Sequence, residues 1–115
     1  MAKEPTVEWA GASGTKYKYW VYPRHPSVSE GFLGNYIYTK VVNKFWVPIY
    51  IGQGDLSVRC ANNHHQIECI DSKGATHVHL HLNANEAERL AEEKDLLSGH
   101  SFAYDPTGCN IKTGG

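Results

Sequence analysis

Cysteine is scarce in this chain, and its count is odd: Cys60, Cys69 and Cys109 are the only three. They form neither an even framework nor a CxxC pair, so a disulfide-stapled scaffold and a paired-cysteine zinc site are not indicated. Free thiols or small apolar residues in a reducing compartment are the expectation. Excess charge is also lacking. The formal net charge is -1, which removes any global electrostatic reason to hold a polyanion. No run is long or apolar enough to span a bilayer. The opening residues, MAKEPTVEWAGAS, lack the apolar core of a signal peptide. There is no internal repeat and no low-complexity tract. These absences lead to the expectation of a soluble, cytoplasmic protein with no membrane partner.

The 115 residues have room for one compact domain, and 41% hydrophobic content allows a modest core. Charge is unevenly spread. Residues 1–66 carry seven Lys/Arg against four acids, a balance of +3, while residues 67–115 carry four against eight, a balance of -4. The first half is therefore the one permissive for a phosphate ligand.

Local patterns predict an α+β fold, with about three core strands in a small antiparallel sheet flanked by helices. Residues 1–33 are expected to be an N-terminal arm. Within them KYKYWVYP, residues 16–23, alternates weakly and offers an extra strand, and residues 24–34 read as a connection. The domain proper is expected over residues 34–115. Residues 35–50 read as a hairpin turning at Asn43-Lys44, with Pro48 marking an edge strand or a bulge. A three-residue loop centred on Lys44 sets Tyr38 opposite Tyr50, and a two-residue loop sets Ile37 there instead. The former is expected.

A short helix is expected to start within residues 60–66. Residues 76–82 alternate strictly, with His77, His79 and His81 on one strand face. A helix is predicted over residues 84–98, because Asn83 and Asn85 are N-cap residues followed three positions on by Glu86 and Glu88, and Gly99 follows its end. Ala87, Leu90, Ala91 and Leu97 define its expected buried stripe. Glu93 falls on the flank of that stripe and Glu92 nearly opposite, while Lys94 lies awkwardly near its middle.

The stretch from Tyr36 to Asn110 resembles the GIY-YIG nuclease family. Tyr36-Ile37-Tyr38 is followed by Tyr50-Ile51-Gly52, and eleven residues separate Tyr38 from Tyr50. The second motif runs on to Arg59, with His64 and His65 beyond it. Glu93 precedes two aliphatics in Glu-x-x-Leu-Leu, and Asn110 and the closing Gly114-Gly115 match the family's C-terminal asparagine and glycines. The sequence departs from the pattern in having Tyr36 at the usual glycine and one residue fewer between Tyr50 and Arg59.

The resemblance implies a GIY-YIG-like fold and an endonuclease that hydrolyses nucleic acid, with DNA the expected polymer. Tyr38, Tyr50, Arg59, His64 and Glu93 would be catalytic, and Glu93 would hold one Mg2+ or Mn2+. Gly52, His65 and Asn110 would contact the substrate. Arg59 would offset charge on the phosphorane-like transition state, and a tyrosine would steer or deprotonate the water. Since a phenol's ordinary pKa is about 10, a nearby cation must favour the phenolate. A homodimer or an added DNA-binding partner would supply the grip that a neutral domain lacks.

Blander readings stay open. Tyrosines in a hairpin commonly support a sheet, Gly52 can end a strand, and Asn110 can form a turn. The histidine row is expected to be an exposed polar face, with a zinc site as the sharper alternative. Lys16 to Tyr22 mixes bases with aromatics, which suits nucleic acid as well as a strand. A catalytically degenerate module of the same fold, binding without cutting, is the alternative function.

Overall fold

The structure, a computed structural model, describes residues 5–24, 26–60 and 64–111. Five strands build one antiparallel sheet: β1 (Thr6–Ala10), β2 (Lys16–Pro23), β3 (Leu33–Val42), β4 (Phe45–Asp55) and β5 (His77–Leu82), in the spatial order β1-β2-β5-β3-β4. Helices α1 (Leu56–Arg59) and α2 (Ile67–Ser72) pack on one side, and α3 (Glu86–Gly99) with a 3₁₀ turn (Ser101–Ala103) on the other. The α+β class holds, but the sheet has five strands rather than about three. KYKYWVYP is β2 throughout. The supposed arm contributes β1 as well, because Trp9 finds burial only against β2 and the α3 side, where it is 6% exposed. Five residues carry too short an alternation to announce that.

The hairpin turn has two residues, not three. Asn43 and Lys44 are both left-handed, with φ of 52° and 71°, and Val42 faces Phe45, the turn geometry that suits tight hairpins. Tyr38 nevertheless faces Tyr50, because the register slips between Tyr38 and Thr39: Thr39 pairs with Pro48 and Ile49 is left over. Proline has no N–H to give the ladder, so a bulge beside Pro48 costs little.

Helix α3 is capped as its sequence suggests, with Asn85 Oδ1 accepting from the Glu88 amide at 2.9 Å, and Gly99 is its last residue. Its buried face differs from the expected one. Arg89, Glu92 and Leu96 are buried, while Ala87, Leu90, Ala91 and Lys94 are exposed. The sheet offers polar partners there. Arg89 Nε donates to Gln53 Oε1 at 3.1 Å, and Glu92 meets Tyr19 and His81. Satisfied polar contacts outweigh the small area that alanines would bury. The exposure of Lys94 follows.

The short helix expected to start within residues 60–66 falls partly on residues 61–63, which lie outside the described residues, and α2 begins at Ile67 with Gln66 as its N-cap. Cys69 and Cys109, expected as free thiols, form a disulfide with a Cα–Cα distance of 5.9 Å, leaving Cys60 free and buried. Forty positions separate the pair, so only the fold brings them within bonding distance. No helix among the described residues is long and apolar enough to cross a membrane.

Candidate active site

Alternation along β3 puts Tyr36 and Tyr38 on the sheet face beneath α1 and α2, and Tyr50 and Gly52 stand opposite Tyr38 and Tyr36. The phenols that meet are nonetheless Tyr36 and Tyr50, diagonal neighbours whose rings stack at 6.0 Å. Gly52 makes this arrangement fit, because a Cβ there would stand 2.5 Å from Cζ and Oη of Tyr36. Tyr38 turns inward. It is fully buried, its hydroxyl has no hydrogen-bond partner, and the Arg24 guanidinium lies 5.6 Å over its ring. Its ring still meets those of Tyr36 and His64, each at 5.8 Å, and Tyr36 is as buried; what separates the two phenols is the hydrogen bond of Tyr36 to His64.

A directed hydrogen-bond chain runs through this cluster. The Gln66 backbone N–H donates to His64 Nδ1 at 2.9 Å, so that nitrogen carries no proton. Burial holds His64 neutral, pushed down to about 4, which leaves the proton on Nε2. Nε2–H therefore donates to Tyr36 Oη across 2.6 Å. The Tyr36 hydroxyl also favours the Tyr50 phenolate, against the larger rise that burial and Glu93 impose on that phenol. Tyr50 in turn reaches Nε2 of the exposed His65 at 3.3 Å.

Arg59 and Glu93 come from two further elements. Asp55 Oδ1 accepts from the Ser57 amide at 3.0 Å and from Ser57 Oγ at 2.7 Å, starting α1. Arg59 at its end then lies across β4, with Nε 3.0 Å from where a Gly54 Cβ would stand. Gly54 has φ 137°, a region that favours glycine. Half-buried Glu93 approaches from α3. Burial pushes its carboxyl up, and the charge of Arg59 opposes that rise. The same guanidinium opposes the rise that burial imposes on Tyr36 and Tyr50, and adds to the fall that burial imposes on His64. Tyr50 is pushed up first by burial and then by Glu93.

Glu92 is committed elsewhere. Its Oε2 accepts from Tyr19 Oη at 2.9 Å and its Oε1 meets His81 Nε2 at 3.1 Å. His81 Nδ1 faces the Lys18 carbonyl at 2.7 Å. With acceptors on both sides the ring holds two protons, and the hydrogen bond to Glu92 is the chief cause of its raised pKa. Of the two adjacent glutamates, Glu92 is held by Tyr19 and His81, whereas Glu93 lies within the influence of the Arg59 charge. A lone carboxylate fits Mg2+ or Mn2+, ions of the kind that keep several waters and draw other ligands from substrate phosphate.

Two residues expected to touch substrate are occupied within the fold. Asn110 Oδ1 accepts from Ile51 N at 2.8 Å and its Nδ2 donates to Ile51 O at 2.9 Å, so its amide closes the edge of β4. Gly52 is covered by the ring of Tyr36 and offers no opening for phosphate. Gly114 and Gly115 lie outside the described residues.

The histidine row shares a face, as expected, but that face lies toward α3 rather than solvent. His79 is wholly buried and pushed down to about 3 by burial. Trp9 Nε1 donates to its Nδ1 at 2.9 Å, and Thr39 Oγ1 sits 3.2 Å from Nε2. His77 pairs with Thr76 Oγ1 at 2.8 Å, and His81 is held by Glu92. Each ring has its own partner, and no group of three His, Cys, Asp or Glu among the described residues is placed to hold a metal.

Sequence reasoning passed over Tyr36, which occupies a position where the family pattern has glycine. The available signal was its spacing of two from Tyr38, which puts both on one strand face. No protein-family model, curated protein or solved structure matches the chain.

Proposed function

We propose that the protein is a metal-dependent endonuclease that hydrolyses phosphodiester bonds in nucleic acid, with DNA as the expected polymer. The observation carrying this reading is the reach of one exposed guanidinium. Arg59 acts on Tyr36, Tyr50, His64 and Glu93, which come from separate parts of the chain. A structural aromatic pair has no need of a convergent cation and carboxylate.

Arg59 would grip the non-bridging oxygens, where its planar fork suits phosphate and its charge counts most in the transition state. Tyr50, half-buried at the mouth of the cluster, would orient the attacking water and take its proton. Its own proton has an acceptor in His65. Tyr36, held by His64 and stacked on Tyr50, would favour the resulting phenolate. Glu93 would hold a Mg2+ or Mn2+ ion, which supplies Lewis-acid stabilisation to the phosphate when bound. Offsetting the Glu93 charge also removes one of the influences that raise Tyr50.

A second reading, a module of this fold that binds nucleic acid without cutting, is favoured by the burial of Tyr38. Cleavage of labelled single-stranded, duplex and branched DNA and of RNA, with and without Mg2+ or Mn2+, separates the two. Metal-dependent products from wild type but not from Glu93→Gln support the nuclease. Binding without cleavage of any substrate supports the module.

A further inference from the structure

We infer that the groove walled by Trp20, Tyr22 and Phe32 is a stacking subsite for unpaired bases of a nucleic-acid strand. The inference rests on the reading that nucleic acid is the ligand of the neighbouring site, and it names the form of that ligand. The groove has a volume of about 520 Å³ and is lined mainly by aromatic and aliphatic side chains, with Ser27 and Ser29 among them. Trp20 is 38% exposed, Phe32 47% and Leu82 54%, so the fold leaves flat apolar surface open here.

Two features select an unpaired base over an apolar peptide or a second copy. Lys18, Trp20 and Tyr22 share a face of β2 by alternation, and the Lys18 ammonium lies 5.3 Å over the Trp20 ring. Lys16 follows on the same face, so two cations stand near the aromatic wall. Glu8 faces Lys18 across β1 and offsets part of that charge, which leaves Lys16, opposite Ala10, as the uncompensated cation of this face. A base offers a π face to the rings and a phosphate to the lysines, which is how single strands are held without regard to sequence.

The groove also lies near the candidate site, joined to it through the core by a row of paired residues. Trp20 pairs with Leu80, Leu80 with Tyr36, and Tyr36 with Gly52, in one row across four strands. That row spans three interstrand spacings, about 14 Å. Leu56 lines the groove at the start of α1, and Arg59 ends the same helix roughly 5 Å further along. A strand leaving the groove along α1 would set bases against Trp20 and Phe32 while its backbone passes Arg59. Bases within a duplex are already stacked on one another and cannot enter.

The test is fluorescence anisotropy with a fluorescein-labelled oligo-dT and a duplex hairpin of equal length, in EDTA so that cleavage does not intervene. Wild type should prefer the single strand. Trp20→Ala and Phe32→Ala should each weaken that binding roughly tenfold and leave duplex binding unchanged, and Trp20→Tyr should restore most of it. Circular dichroism checks that the variants are folded. Unchanged single-strand affinity in both folded alanine variants overturns the subsite, as does equal weakening toward duplex. Loss of self-association by Trp20→Ala in sedimentation, with DNA binding intact, assigns the groove to a second copy and overturns it too. The two readings can fail separately. Trp20-dependent binding without cleavage sinks the nuclease alone, and cleavage of duplex with indifference to single strands sinks the subsite alone.

Discussion

Tyr36 and Tyr50 stack their rings at 6.0 Å although neither is the other's register partner. The partner of Tyr50 is Tyr38, whose hydroxyl is buried and unbonded. The hydrogen bonds from the Gln66 amide to His64 and on to Tyr36 thus end at the ring stacked on Tyr50.

Phenylalanine at the two β3 positions should therefore give opposite results. Tyr36→Phe keeps the ring and removes the hydroxyl that bonds His64 and favours the Tyr50 phenolate, so kcat should fall on the order of a hundredfold with DNA affinity retained. Its pH–rate profile should move to higher pH, because Tyr50 loses a neighbouring hydroxyl that lowers its phenol. Tyr38→Phe removes an unsatisfied buried hydroxyl, so activity should hold and stability should be level or up by about 1 kcal/mol. Steady-state kinetics and urea unfolding decide. Equal loss of activity in both variants would return Tyr38 to the site.

Glu93→Gln should abolish metal-dependent cleavage without costing stability. The carboxyl of Glu93 is raised by burial, so the fold favours its protonated form and is strained by its charge once pH exceeds that pKa. A neutral isostere removes the strain at neutral pH, and Tm should be equal or higher. Glu92→Gln breaks the contact with His81 and weakens that with Tyr19, and should cost about 3–5 kcal/mol. A stable Glu92→Gln protein with no metal response would exchange the two roles.

Acid should loosen the fold through its buried histidines. His79 is pushed down to about 3 and His64 to about 4, each from an ordinary value of 6.5. Unfolded chains take up these protons first, so the stabilisation is complete above about pH 6.5 and is lost as pH falls toward 3. Thermal unfolding across that window should show wild type losing more Tm than His79→Gln, which can still accept from Trp9. Parallel curves would mean that His79 is protonated in the folded state.

Asn110→Ala should destabilise by about 1–3 kcal/mol, because it leaves Ile51 N and O unpaired at the strand edge. It should also lower turnover, since Ile51 adjoins Tyr50. Gly52→Ala should behave alike by displacing Tyr36. Urea unfolding beside DNA-binding assays separates this from substrate contact. A loss of affinity with stability intact would place Asn110 against the nucleic acid after all.

The residues by themselves determined the elements that depend on near neighbours. Val42, Asn43 and Lys44 carry the signal of the hairpin turn, Pro48 announces its bulge, and Asn85 with Glu88 sets the start of α3. These are contacts of a few residues, paid for in backbone geometry and hydrogen bonds that the local chain supplies. Only the tertiary structure decided which side of α3 is buried, because Glu92 and Arg89 are drawn inward by Tyr19, His81 and Gln53 from strands distant in sequence. The same holds for the Cys69–Cys109 bond, for β1, whose Trp9 is settled by His79, and for the choice of Tyr36 over Tyr38. A side chain's partner across a sheet depends on which strand lies beside it, and the periodicity of one segment says nothing about that.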